Sequence, residues 1–402
     1  MSNFASVKRQ FLVLLSSRLL AAAIQAIVGV VLARTTGPGN YGEISAFAGV
    51  TFFVFVVCGL GIPNYLSRAR ALKQHDVVAS ALFINATGSF VGVAIVVIPL
   101  LAGMYTLTSG TILALLVIGT AFEKNADAAL AVLIADGDQF NPAANVLLRR
   151  LITAASFFGL LKLGQDPVNA YCLASAFGPA LGQAHVHVLL NRRGVDRANR
   201  ASSTQILRRA LPFAINDVAV QSRSLVVMIV AAVTTPVAAG LYSGAAKMIA
   251  PSELAASTLG GVILPRAAVM TARQQRSTAL KLTALAGMIF PCAALLAAVS
   301  EPVVVFLLGE EYRAAATSFA VLSLTLPLLV LSSPMAALLQ GMHHERLLSR
   351  GSIAFAVGLL VAVLVGAVLG GATGAAFGVL AATGLKALWL VTAVVMLSRR
   401  GR

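Results

Sequence analysis

Charged side chains are scarce in this chain: Asp, Glu, Lys and Arg make up 11% of its 402 residues, whereas hydrophobic residues make up 58%. A soluble domain of this size cannot bury so much apolar surface, so the composition excludes a soluble globular protein. Long stretches of alternating apolar and polar residues are also lacking, which excludes a spanning β-barrel. The apolar runs are instead continuous over about 20 residues, the length that an α-helix needs to cross a bilayer. The sequence therefore predicts an all-α integral membrane protein.

Other scarcities exclude several kinds of chemistry. The chain has three cysteines, Cys58, Cys172 and Cys292, which all fall inside apolar runs and cannot share a metal site at that spacing. It contains no Gly-Lys dipeptide and hence no Walker A phosphate loop, so we do not expect it to hydrolyse ATP. The loops predicted to face away from the cytoplasm are too short to carry the catalytic residues of a membrane enzyme. We therefore expect no enzymatic activity, no cofactor and no metal.

About twelve apolar runs are long enough to span a membrane. Arg149 and Arg150 interrupt the first half of the fifth run, which is the weakest of the twelve. The predicted spans, in chain order, are Phe11–Ala33, Tyr41–Ile62, Val78–Leu101, Thr111–Ala135, Ala143–Leu163, Val168–Leu190, Leu211–Val233, Ala239–Leu264, Ser277–Val299, Ala314–Leu339, Gly351–Val368 and Gly374–Leu397.

The distribution of basic residues predicts the orientation of these spans. Most of the 30 Lys and Arg residues, with Arg149 and Arg150 among them, fall on one side, and only Arg34, Lys162 and Arg313 fall on the other. Because short loops rich in Lys and Arg stay cytoplasmic, we expect both termini to be cytoplasmic. The net charge of +16 follows from the same loops, which carry no aromatic platform for bases. We therefore expect the chain to contact anionic membrane lipids and no nucleic acid.

Two turn sequences indicate that the chain is a repeat of two similar halves. The segment Thr35–Gly42 between the first two spans resembles Thr234–Gly244 between the seventh and eighth, at an offset of about 200 residues. Six spans in each half give both halves the same direction through the membrane. The sequence thus predicts two six-helix bundles, residues 1–200 and 201–402, related as a parallel repeat around a central cavity. Chance similarity of two turns is the alternative.

Charged residues inside predicted spans are the strongest candidates for a functional site. Each costs roughly 2.5–3.5 kcal/mol on insertion scales unless it faces a cavity or a partner. Neighbouring polar side chains extend the charged positions into stripes on three helices. The charged candidates are Arg18, Glu123, Lys124, Asp127, Asp217, Arg223, Lys247, Glu253 and Lys386, and the polar ones are Gln25, Asn216 and Gln221.

Structural roles remain as alternatives at several of these positions. Arg18 and Lys247 lie near the end of a span, where a long side chain can reach the interface. Lys124 and Asp127 are three residues apart and could form a local ion pair. Glycines recur every four residues from Gly366 to Gly378, a spacing that favours close helix packing or a turn.

The chain resembles the polysaccharide and O-antigen flippases of the multidrug/oligosaccharidyl-lipid/polysaccharide exporter superfamily. The resemblance covers nearly the whole chain and rests on the order and spacing of three loose motifs. These are Leu32–Gly42 followed by the Gly59–Pro63 turn, Gly240–Tyr242 followed by Lys247 and Leu264–Arg266, and Phe306–Tyr312 followed by the tenth span.

The resemblance implies a function, a location and partners. It implies a secondary transporter of the bacterial inner membrane that flips an undecaprenyl-pyrophosphate-linked oligosaccharide from the cytoplasmic to the periplasmic leaflet, by alternating access, for surface polysaccharide synthesis. A polysaccharide polymerase and a chain-length regulator are the protein partners that it implies. On this hypothesis the substrate-binding residues are Arg18, Gln25, Lys124, Asn216, Gln221, Arg223, Lys247 and Lys386, and the coupling-ion candidates are Glu123, Asp127 and Asp217.

Two other functions remain open at this stage. A proton- or sodium-coupled exporter of drugs or other cations, from the same superfamily, would bind its substrate with buried acids. The intramembrane acids of this chain are matched by bases, which argues weakly against that function. A membrane polysaccharide polymerase or ligase is disfavoured by the short loops.

Overall fold

The computed structural model describes residues 2–74, 76–103, 110–193, 202–267, 270–342 and 344–400, and no strand occurs among them. Apolar runs fold into helices because each helix satisfies its own backbone hydrogen bonds. The α-helices are α1 Ser2–Cys58, α2 Ile62–Ala71, α3 Val77–Leu101, α4 Leu113–Ala135, α5 Phe140–Lys162, α6 Pro167–Arg192, α7 Ser203–Gln221, α8 Val226–Val233, α9 Pro236–Ala267, α10 Ala272–Ala298, α11 Ser300–Leu308, α12 Ala315–Ser323, α13 Leu326–Gly341 and α14 Glu345–Arg400.

The two longest helices each contain two predicted spans. In α1 the first and second spans meet at Gly37, whose φ of 71° and ψ of 169° break the helix immediately before Pro38. In α14 the eleventh and twelfth spans meet at Gly370 and Gly371. Glycine tolerates these backbone angles because it has no Cβ. Helical hydrogen bonding resumes directly after each break, so the loops that separate these spans are very short.

Two other predicted spans are each built from two helices. The seventh consists of α7 and α8, which are joined by a 3₁₀-helical turn over Ser222–Leu225. The tenth consists of α12 and α13, which are bent by 41°. The structure also contains two short helices that we did not predict, α2 and α11.

Six helical segments are long and apolar enough to cross a membrane, or seven if the bent pair counts as one, within the described residues. Two of the six, Ser16–Cys58 and Arg346–Ser398, are the kinked helices that hold two predicted spans each. Helix α4 is not among the six because it carries Glu123, Lys124 and Asp127. The prediction of an all-α, multi-pass membrane protein is confirmed.

The chain divides into two compact units. Unit 1 comprises Met1–Thr35 and Phe47–Ser224, and unit 2 comprises Thr36–Ala46 and Leu225–Arg402. The core of unit 1 includes Leu66, Leu133 and Ile206, and that of unit 2 includes Leu338 and Leu390. The units are defined by packing, so α7 belongs to unit 1 although it follows residue 200. The repeat of residues 1–200 and 201–402 stays a prediction.

The glycines of α14 allow its two arms to pack closely. A Cβ on Gly366 or Gly374 would collide with the backbone of the other, and one on Gly378 would collide with the backbone of Ala362. Gly371 supplies the turn between the arms with a φ of 58°. The glycines spaced four residues apart therefore allow the two arms to pack closely, and Gly370 and Gly371 form the turn between the arms. Close packing and a turn are the two roles that the sequence predicted for this glycine spacing.

Candidate functional site

Three charged residues of unit 1 lie in the middle of α4. Glu123, Lys124 and Asp127 fall within five consecutive positions, and all three side chains are half-buried. Helix α4 packs against α6, α3, α2 and α5. The partners that these neighbouring helices offer therefore decide the net charge of the site.

Arg149 of α5 is the partner of Asp127. Its Nη2 lies 2.7 Å from Asp127 Oδ1, and its Nη1 donates to the backbone carbonyl of Glu123 at 3.3 Å. The Arg149 side chain is only 3% exposed, so its charge depends on this pairing. Gly182 of α6 leaves room for the Arg149 side chain, because a Cβ at position 182 would collide with Cγ and Cδ of Arg149.

Arg150 of α5 is the partner of Glu123. The two side chains form an ion pair, and Arg150 Nη1 also lies 3.4 Å from Glu123 Oε2. Two arginines of α5 thus neutralise two carboxylates of α4.

The sequence analysis placed Arg149 and Arg150 in the first half of the fifth span, and it also counted them with the basic residues of the cytoplasmic side. Both residues lie in the interior of α5, because the carboxylates of α4 supply the counter-charge that a mid-helix arginine requires. A signal was present in the sequence. Two acids one turn apart in one span, with two arginines in the next, are typical of an interhelical pairing.

Lys124 takes no part in this pairing. Its Nζ lies 3.7 Å from the centroid of the Phe52 ring, a cation–π contact. Asp127 pairs with Arg149, so the local Lys124–Asp127 ion pair that the spacing allowed does not form in this part of the structure. Lys124 therefore adds a positive charge that no carboxylate neutralises at ion-pair distance among the described residues.

Asp217 of α7 is held by an amide. Asn64 Nδ2 of α2 lies 2.8 Å from Asp217 Oδ1 and 2.9 Å from Oδ2. The two helices approach closely at Gly61, which begins α2 with a φ of 68° and faces the backbone of Phe213 and Ala214. A side chain larger than hydrogen at Gly61 would separate α2 from α7 and break the Asn64–Asp217 contact.

Neutral polar side chains extend the polar interior of unit 1, and sequence reasoning missed them. Asn125 Oδ1 accepts hydrogen bonds from Asn85 Nδ2 at 2.7 Å and from Ser89 Oγ at 2.9 Å. Asn145, fully buried, donates to the Gly182 carbonyl at 2.8 Å and lies 3.1 Å from His185 Nδ1. Single neutral residues within apolar runs carry little signal, because insertion costs them less than a charge.

The other candidates of unit 1 lie on α1 and at the end of α7. Arg18 and Gln25 are exposed and share one face of α1. Asn216 is exposed, whereas Gln221 and Arg223 are half-buried. Arg223 lies in the 3₁₀ turn that interrupts the seventh span, and such interruptions often mark functional hinges.

In unit 2, Lys247 contacts an aromatic pair. Its Nζ lies 5.1 Å from the centroid of the Tyr41 ring, which meets Tyr312 edge to face at 6.3 Å. Both tyrosines are buried and come from two of the motifs that carry the family resemblance. Lys386 is half-buried on α14. The structure thus brings together Tyr41, Tyr312 and Lys247, which are far apart in the sequence.

An exposed ion-pair cluster lies between α11 and α12. Arg313 Nε donates to Glu310 Oε2 at 2.9 Å, and its guanidinium also pairs with Glu301. The hydrogen bond from Arg313 holds the pKa of the Glu310 carboxyl below its ordinary value, and the same contact raises the pKa of Arg313.

The three coupling-ion candidates all belong to unit 1, but their partners differ. Glu123 and Asp127 pair with arginines, whereas Asp217 is bonded to an amide. No group of three or more His, Cys, Asp or Glu residues that could hold a metal ion occurs among the described residues. A cavity lined by both halves, with Arg18, Arg223 and Lys386 inside it, stays a prediction.

A known family matches more than half of the chain. Residues 7–271 match the family model described as polysaccharide biosynthesis protein. No curated protein matches the chain.

Solved structures match nearly the whole chain. The lipid II flippase MurJ, in an inward closed conformation, has a TM-score of 0.78 at 12% identity, over 95% of this chain and 87% of that one. An inward-facing multidrug resistance MATE family transporter of the MOP superfamily has a TM-score of 0.76 at 14% identity, over 97% and 99%. A MOP superfamily transporter from Pyrococcus furiosus, described as having a binding pocket of reverse polarity, has a TM-score of 0.70 at 15% identity, over 97% and 96%. At these identities the likeness concerns the fold, and it confirms the predicted class of about twelve helices in two bundles.

Proposed function

Because the chain belongs to the polysaccharide biosynthesis protein family, we propose that it is a transporter of a lipid-linked oligosaccharide. The substrate is an undecaprenyl-pyrophosphate-linked glycan that moves from the cytoplasmic to the periplasmic leaflet of a bacterial inner membrane. Both termini are cytoplasmic in this proposal. The product is then available to a polysaccharide polymerase and a chain-length regulator.

The observation that carries this proposal is the charge balance of α4 and α5. Arg149 and Arg150 neutralise Asp127 and Glu123, so the carboxylates of α4 are not available to a cationic substrate. Lys124 is left as a positive charge against the Phe52 ring. A site of this kind attracts an anion.

An anionic headgroup is what a lipid-linked oligosaccharide presents. A pyrophosphate with sugars cannot cross about 30 Å of hydrocarbon unaided, so the transporter must supply cations and hydrogen-bonding groups within the membrane. In this proposal Lys124, Arg18, Arg223, Lys247 and Lys386 attract the phosphates. The amide side chains of Gln25, Asn216 and Gln221 bind the sugars.

Two of the structural neighbours support this assignment. One of them is a flippase of lipid II, which is itself a lipid-linked substrate. Another is described as having a binding pocket of reverse polarity, so proteins of this fold differ in the polarity of their pockets. A cation-coupled drug exporter has the same fold, and it is the competing outcome of the experiment.

Complementation of polysaccharide export tests the proposal. A bacterial strain that lacks its own flippase is given the wild-type chain, Arg223→Ala, Lys386→Ala, or Arg313→Ala, which removes a basic residue outside the spans. We expect export with the wild type and with Arg313→Ala, and a loss of at least tenfold with each of the other two, at matched amounts of protein in the membrane. A loss of tenfold corresponds to about 1.4 kcal/mol of anion stabilisation.

Two results would contradict the proposal. If Arg223→Ala and Lys386→Ala restore export as well as the wild type does, the cationic site does not bind the substrate. If the wild type leaves export unchanged but expels cationic dyes against a proton or sodium gradient, the chain is a drug exporter.

A further inference from the structure

We infer that Asp217 is the carboxylate that binds and releases a proton during each transport cycle, and that Glu123 and Asp127 do not exchange one. The inference rests on the proposed function and adds its coupling group. It depends on the different partners that the structure gives to three acids which are equivalent by sequence alone.

Glu123 and Asp127 each have an arginine as their partner. Arg150 pairs with Glu123 and Arg149 with Asp127, and Arg149 is almost fully buried. Protonation of either carboxylate would remove the counter-charge of an arginine, which is most unfavourable for the buried Arg149 and less so for the half-buried Arg150. Proton exchange at these two sites would therefore destabilise unit 1 in every cycle.

Asp217 has no such constraint. Its carboxylate accepts hydrogen bonds from Asn64, and no basic residue lies at ion-pair distance from it among the described residues. When it is protonated, one oxygen still accepts from the Asn64 amide. Asp217 can therefore change its charge without leaving a buried charge uncompensated.

The charged groups around Asp217 come from the helices that surround it. Helix α7 packs against α2 and α3. Helix α2 carries Arg68, which is exposed, and Arg70, which pairs with Asp136, while α3 carries no charged residue. Helix α7 itself carries Arg208 and Arg209, more than two turns before Asp217, and among the described residues Lys124 of α4 attracts the Asp217 carboxylate.

Lys124 links the proton to the substrate. An anion that binds at Lys124 weakens the attraction between Lys124 and the Asp217 anion, and therefore favours protonation of Asp217. By linkage, protonation of Asp217 strengthens anion binding by the same factor. The headgroup and the proton therefore move in the same direction, so a pH gradient accumulates the headgroup in the leaflet on the alkaline side, and net export depends on removal of the product from the periplasmic leaflet.

Infrared difference spectroscopy tests the proton site without any substrate. Purified protein in lipid nanodiscs is titrated with acid, and the appearance of a carboxylic-acid C=O band is followed. We expect the wild type to show a band that Asp217→Asn lacks. The matched control is the double variant Glu123→Gln with Arg150→Gln, which removes both charges of one pair and should keep the band.

The spectra alone can overturn the inference. It is wrong if Asp217→Asn keeps the band, or if the Glu123/Arg150 double variant loses it while remaining folded. It is also wrong if the wild type shows no such band between neutral pH and the onset of acid unfolding.

Proteoliposomes test the coupling, with undecaprenyl pyrophosphate as the probe. For one proton per cycle, a gradient of one pH unit supplies about 1.36 kcal/mol, enough for about tenfold accumulation of the probe in one leaflet. We expect this asymmetry with the wild type and none with Asp217→Asn. If the wild type flips the probe equally well with and without the gradient, the coupling is refuted but the proposed function is not. If the wild type never flips the probe, while the infrared band is present in the wild type and absent from Asp217→Asn, the proposed function alone is refuted.

Discussion

The pairs between α4 and α5 and the cluster around Arg313 consist of the same side chains in different surroundings. Arg149 is 3% exposed beside Asp127, whereas the Arg313 side chain is 58% exposed beside Glu301 and Glu310. A buried arginine cannot exchange its carboxylate for water, and an exposed one can. We therefore expect the first set to determine whether unit 1 folds and the second to contribute little.

The largest effect is expected from Asp127→Leu. The substitution leaves Arg149 buried without its counter-charge, and we expect a loss of about 3–5 kcal/mol in the free energy of unfolding. The measurement is denaturant unfolding in detergent micelles. The double variant Asp127→Leu with Arg149→Leu should recover most of the loss, because no charge remains to be compensated. If the single variant is as stable as the wild type, then Arg149 does not depend on Asp127.

A smaller effect is expected from Gly182→Val on α6. Its side chain would occupy the space that now holds the methylene groups of Arg149, and overpacking of this kind typically costs about 1–3 kcal/mol. Gly159→Val on α5 is the control, because no atom lies within 4 Å of a Cβ there. If the two variants have equal free energies of unfolding, then the close approach of α6 to Arg149 does not affect the stability of the Arg149–Asp127 pair.

The sequence predicted the helices better than it predicted the pairs. Hydropathy located the spans because the membrane imposes their length, and the glycines of α14 indicated its close packing. The 3₁₀ turn at Arg223 gave no such signal, whereas Pro327 in the first turn of α13 marks the bend between α12 and α13.

The assignment of Arg149 and Arg150 shows why the charged site was the harder part. A basic residue in an apolar run indicates either a loop or an interior site with a partner, and the partner lies more than 20 residues away at Glu123 and Asp127. The sequence analysis placed both arginines within the fifth span but did not identify their partners. Only the packing of α4 against α5 shows which acids are neutralised and that Asp217 is not paired in this way.

The smallest effect is expected from Arg313→Ala, and its pH dependence identifies the cause. In the wild type the hydrogen bond from Arg313 lowers the pKa of Glu310 in the folded state. A lowered pKa contributes stability that is present above the unfolded-state pKa and is lost as the pH falls through the folded-state value. The difference in melting temperature between the wild type and Arg313→Ala should therefore be small at pH 7 and vanish in acid. It should also vanish in 1 M salt, where the screening length is about 3 Å. If the melting temperature of Arg313→Ala falls as far as that of Asp127→Leu, and the fall does not depend on salt, then solvent exposure does not determine how much each set of ion pairs contributes to stability.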